Sequence, residues 1–99
     1  MLTHSLIVKI VAKEDRAEEV AAFLADALPL AQQEAFTPVW FAMRADAHTF
    51  YVVDAFAGAE DRQKHLDGAI ASALMANADT LLAEPPTISP VDVLASKVP

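Results

Sequence analysis

Residues 5–12, SLIVKIVA, are apolar at nearly every position, short and β-branched. They read as a strand. Side chains alternate sides along a strand, so Leu6, Val8 and Ile10 share one face. Ile7 and Val11 share the other with Lys9. A strand wetted on one side alternates more cleanly between apolar and polar, so this one asks for cover on both sides. Residues 48–56, HTFYVVDAF, repeat the pattern. Phe50, Val52 and Phe56 lie on one face with Asp54 among them, and Tyr51, Val53 and Ala55 lie on the other. Residues 38–45, PVWFAMRA, form a further strand, joined to the last by a short hairpin at Ala45-Asp46-Ala47.

Helical spacing fills the gaps between strands. Ala17, Val20, Ala21, Leu24, Ala27, Leu28 and Ala31 recur every three or four residues, one stripe of an amphipathic helix. Asp15 and Glu18 have the form of a capping box, with Asp15 as N-cap. Pro29 offers no N–H to Ala25 and should kink this helix or end it early, and a kink is expected because Leu30 to Gln33 stay helix-compatible. A short helix is expected from about Ala59 to Leu66, with Glu60 and Asp61 favourable in its first turn. Gly68 should break it, and a second segment should run from about Ala69 to Ala83. Ile70, Ala73, Leu74, Leu81 and Leu82 would form its buried side, and Glu84-Pro85-Pro86 would stop it. Residues 90–97, PVDVLASK, read as an edge strand, where an initial proline is tolerated.

The order β-α-β-β-α-β is that of a ferredoxin-like split βαβ: α+β, a four-stranded antiparallel sheet with helices on one face. Those helices cover one side only. The simplest cover for the other is the sheet of an identical subunit related by two-fold symmetry. The 99 residues suit one domain, 1–99. At 55% the apolar fraction is high, and much of it is alanine, which contributes little buried area. The larger apolar residues still look too many for one small two-layer domain.

Charge and composition exclude several function classes. Seven Lys and Arg stand against fourteen Asp and Glu, a net charge of −7. The positive residues are scattered, so no nucleic-acid footprint is expected, and anionic membranes are disfavoured. There is no cysteine, hence no disulfide, thiolate nucleophile or Cys-type zinc site. The N-terminus lacks the charged region of a signal peptide, and no run approaches a membrane span. The expectation is a cytoplasmic protein.

The chain resembles the antibiotic biosynthesis monooxygenase-like domains of the dimeric α+β barrel superfamily over nearly its whole length. The resemblance is carried by VAKEDRAEEVAAFLADALPLAQQE (11–34), TPVWFAMR (37–44), FYVVDAF (50–56), EDRQKHL (60–66), LLAEPPTI (81–88) and VDVLASKVP (91–99). Its sharpest element is the aromatic-Asp-x-Phe strand followed by a helix bearing His-Leu. Ala35-Phe36 depart from the Pro-Gly usual between Glu34 and Thr37. The resemblance implies the fold, a homodimer through the sheet face, and a pocket between sheet and helices. Some relatives oxidise phenols or quinols with molecular oxygen and no metal or flavin, so no cofactor is expected and a small aromatic ligand is. Haem-degrading relatives carry a first-strand asparagine and a late third-strand tryptophan, which this chain lacks.

Four residues are the candidates for chemistry. His65 is either a catalytic base toward a phenol, since imidazole titrates near neutrality, or a structural bridge from the short helix to the sheet. Trp40 is either a flat wall for an aromatic substrate or an interface or core aromatic, and Phe50 is a weaker version of the same case. Asp54 would cost free energy among apolar neighbours unless paired. It either orients His65 or meets a backbone amide or Arg62. Arg44 and Arg62 are expected in surface ion pairs, and Glu34 and Thr37 are expected to order the helix-to-strand turn. His4, His48 and His65 show no metal-ligand spacing.

Overall fold

The computed structural model describes residues 1–99. Eight elements follow one another: β1 (His4–Val11), α1 (Ala17–Asp26), α2 (Leu28–Gln33), β2 (Val39–Arg44), β3 (Thr49–Phe56), α3 (Ala59–Leu66), α4 (Ala69–Leu81) and β4 (Thr87–Asp92). The strands form one antiparallel sheet in the order β2-β3-β1-β4. This is the ferredoxin-like arrangement expected from the order of the elements.

Register explains where the core sits. Leu6 pairs with Asp54, Val8 with Val52 and Ile10 with Phe50, so the even-numbered residues of β1 and β3 point the same way. They are buried with Val20 and Leu24 of α1 and with Leu81 and Leu82 at the end of α4. A smaller cluster of Ala27, Ala31 and Ile70 joins α2 to α4. The odd face has no helix over it. It presents Ile7, Tyr51, Val53, Phe41 and Met43, of which Phe41 is 56% exposed.

Three local expectations are corrected. Asp15 is not the N-cap of α1. Arg16 holds that position and no side chain caps the helix, because a turn from Lys13 to Arg16 sets the entry. Pro29 marks a break between two helices. It falls in the first turn of α2, where a missing N–H costs nothing. The last strand spans Thr87–Asp92 and not 90–97, with Pro90 inside it opposite Leu6. Edge placement is what lets the proline sit there, since its nitrogen need not enter a ladder. Arg44 does pair at the surface, with Glu18 at 2.7 Å, and lies over the Phe50 ring at 5.0 Å. Arg62 forms no ion pair there. It donates to the carbonyls of Ser5 and Val91, both at 3.4 Å.

Candidate functional site

Three segments distant in sequence meet behind the sheet. His65 is the penultimate residue of α3, and the helix turns it inward against the Phe56 ring, 5.4 Å between centroids. Asp54 lies on the helix-facing side of β3, between its partners Leu6 and Trp40. Glu34 closes α2 in an extended conformation. The amide of Thr37 then donates to the Glu34 carbonyl at 3.0 Å, a tight turn that aims both side chains at α3.

The two ring nitrogens of His65 face opposite carboxylates. Nδ1 lies 2.6 Å from Glu34 Oε1, and Nε2 lies 3.0 Å from Asp54 Oδ2. The Thr37 hydroxyl donates to the same Glu34 oxygen at 2.9 Å. His65 is 5% exposed and Asp54 is 0% exposed. The Asp54 contact is close but poorly aligned, and neither of its oxygens has a hydrogen bond of good geometry. A buried carboxylate in that state depends on an opposite charge. Burial alone would pull the His65 pKa down. The two neighbouring carboxylates, Asp54 first and then Glu34, outweigh it, and the net shift is upward from the usual 6.5. Each ring nitrogen thus faces a carboxylate, and both carboxylates favour the protonated ring.

Two cavities adjoin this group. A cleft of about 390 Å³ opens beside α2 and the start of β2, lined by Leu28, Ala31 and Trp40 on its apolar side and by Gln32, Glu34 and Thr37 on its polar side. A second cavity, between helices and sheet, is about 40 Å³ and almost wholly apolar. His65 is the one ionisable residue in its wall, among Leu6, Val52, Leu66, Ile70 and Leu74. Ligand sites for drug-sized molecules usually measure ~300–1,000 Å³, so the cleft has the volume for one and the inner cavity does not.

Of the sequence candidates, His65 and Asp54 come together, and Trp40 reaches the cleft that Glu34 also lines. The Trp40 indole N–H is buried without a hydrogen-bond partner. Phe50 stands apart. It is 2% exposed at the other end of β3, under Arg44, and touches neither cavity. Asp54 meets neither a backbone amide nor Arg62. Glu34 and Thr37 do order the turn, but sequence reasoning missed that the turn exists to deliver them to His65. Thirty-one residues separate 34 from 65, and no local pattern links them. The ring lies between the carboxylates, so the three do not converge on a common point. No group of three such residues is placed to hold a metal ion.

Chemically, the arrangement is a buried Asp–His–Glu relay with one end at a cleft. A proton arriving on Glu34 would have a 2.6 Å path to Nδ1 whenever the ring is neutral, and Asp54 would hold the imidazolium that forms.

No family model and no curated protein matches the chain. Solved structures do. The NE2512 protein of unknown function from Nitrosomonas europaea is 50% identical, over 100% of this chain and 96% of that one, with a TM-score of 0.98. Two others share the fold at low identity. A "putative antibiotic biosynthesis monooxygenase" from Nitrosomonas europaea is 17% identical over 93% of this chain and 90% of that one, TM-score 0.81. A protein of the same description from Caulobacter crescentus is 16% identical over 95% and 92%, TM-score 0.80. The chain thus belongs to the family of the NE2512 protein, and its fold is that of the antibiotic biosynthesis monooxygenase-like domains.

Proposed function

We propose that two copies of this chain pair through the open sheet face, and that each binds a small phenol- or quinol-like aromatic in the cleft beside Trp40 and oxidises it with molecular oxygen, without a cofactor. The observation that carries this reading is that Glu34 belongs both to the cleft wall and to the buried relay. Trp40, Leu28 and Ala31 offer flat apolar contact to a ring. Glu34 takes the hydroxyl proton, and His65, 2.6 Å away, accepts it from Glu34 only in the fraction of molecules whose ring is neutral. The phenolate left behind is electron-rich enough to meet oxygen directly. One oxygen atom enters the ring as a carbonyl. The other leaves as water with two hydrogens from the substrate's own O–H and C–H bonds, so no outside reductant is needed. The solved structures of the same fold described as monooxygenases support this chemistry by likeness of fold alone.

A second reading is a dimer that binds a ligand or serves structurally without turnover. It is favoured by the sealed state of His65, whose two nitrogens are both taken, and by the 40 Å³ volume of the cavity on its other side.

Oxygen uptake by metal-stripped protein, measured against a panel of quinols and polycyclic phenols, separates the two. The first reading expects uptake that Glu34→Gln lowers by about 10²–10⁴, the usual weight of a general base. His65→Ala should abolish it in protein that remains folded. Ligand binding in the cleft with no uptake would support the second reading and sink the first.

A further inference from the structure

The chain has two glycines, and each is the N-cap of a helix in extended backbone: Gly58 before α3 at φ −170°, ψ 177°, and Gly68 before α4 at φ −89°, ψ −175°. Neither conformation needs glycine. Their surroundings differ. A Cβ added at Gly58 would meet nothing within 4 Å. One added at Gly68 would lie 2.9 Å from Glu34 Oε2, 3.2 Å from the His65 carbonyl oxygen and 3.3 Å from that of Lys64. The other oxygen of the same carboxylate is the one on His65 Nδ1.

We propose that Gly68 is a positioning residue: its bare Cα leaves the space through which Glu34 reaches the His65 ring, so any side chain at position 68 displaces that carboxylate and loosens the relay. The backbone oxygens at 3.2 and 3.3 Å are also tight and would have to give by a few tenths of an ångström, but at 2.9 Å something must shift, and the tip of a side chain shifts more cheaply than backbone. Glu34 is therefore what moves. The ionisable groups facing the ring are Glu34 from the α2–β2 turn and Asp54 from β3. Helix α4 brings no ionisable residue between Gly68 and Asp79, and α3 itself carries Glu60, Asp61, Arg62 and Lys64, with Asp67 just beyond its end. Displacing Glu34 thus leaves the ring facing one carboxylate in place of two. This role holds whether the relay moves a substrate's proton or only ties the fold together.

The test is Gly68→Ala in two backgrounds, native and Glu34→Ala, with Gly58→Ala as the control. Urea denaturation and NMR titration of the His65 ring are the readouts. A glycine-to-alanine change in backbone that alanine can adopt ordinarily stabilises a chain slightly. Gly68→Ala is expected to lower both the denaturation midpoint and the His65 titration midpoint when Glu34 is present, and to lower neither when Glu34 is already alanine. Gly58→Ala should leave the titration unmoved. If Gly68→Ala alone does not fold, the double variant should. Equal damage in both backgrounds would assign the crowding to the His65 and Lys64 carbonyls and overturn the proposal. So would a folded Gly68→Ala whose His65 titrates as in the native chain.

Discussion

At the scale of single residues, His65 decides the chemistry by its neighbours and not by its own reactivity. Its Nε2, 3.0 Å away, is the group set against the fully buried Asp54 carboxylate. Removing one partner of a buried ion pair typically costs ~3–5 kcal/mol, because the other charge is left uncompensated. His65→Ala should destabilise the fold by about that amount in urea denaturation. Adding Asp54→Ala should recover part of the loss, since the stranded carboxylate is then gone; a double variant weaker than the sum of the singles would contradict this pairing. The pH dependence has a definite sign. The folded pKa of His65 lies above its unfolded value near 6.5, so its stabilising contribution is fully present below about 6.5 and is lost as pH rises through the folded pKa. Denaturation midpoints should fall from pH 6 toward pH 8 in the native chain, and that slope should shrink in His65→Ala. The pairing of His65 with Asp54 was within reach of the sequence, because a carboxylate on an apolar strand face must find a partner. Glu34 was not. Its role depends on a turn whose direction no residue pattern around 35–36 declares.

Elements were legible wherever periodicity set them. Strands β1 and β3 and the stripe of α1 follow from spacing alone, and the doubled apolar parity of the strands asked for cover on the face that the helices leave open. Boundaries that depend on tertiary contact were not. β4 begins at Thr87 because β1 continues to offer unpaired backbone as far as Lys9, its partner there, and a proline did not prevent the pairing because the strand is an edge. The β2–β3 hairpin was legible as a turn, but its lock was not. Asp46 Oδ1 accepts from the amides of His48 and Thr49 at 3.0 and 2.9 Å. Those hydrogen bonds, the His48 amide first, hold the Asp46 pKa below its usual value. Asp46→Ala should speed hydrogen exchange at His48 and Thr49 while leaving the amides of β1 protected. Unchanged exchange at both would show that the strands, not the carboxylate, fix this turn.

For the whole molecule, the open sheet face is the surface through which the proposed dimer would pair. Ile7, Phe41 and Met43 stand exposed there with Tyr51 and Val53 half-buried beside them, and contiguous apolar surface of this kind marks an interaction site. A two-fold pairing of this face would bury Phe41. Phe41→Asp would put a carboxylate into that contact and should shift the chain from dimer to monomer in sedimentation velocity, with His65 and its partners undisturbed. A native chain that sediments as a monomer at every concentration would contradict the proposed assembly.

The relay itself is tested most directly by ¹⁵N NMR of the His65 ring across pH 5 to 9. The expected spectrum at pH 6.5 shows both ring nitrogens protonated, with a midpoint above that of a free imidazole and a lower one in Glu34→Gln. A neutral ring with one bare nitrogen at pH 6.5, or a midpoint unmoved by Glu34→Gln, would contradict the account of His65 as an imidazolium held between Asp54 and Glu34.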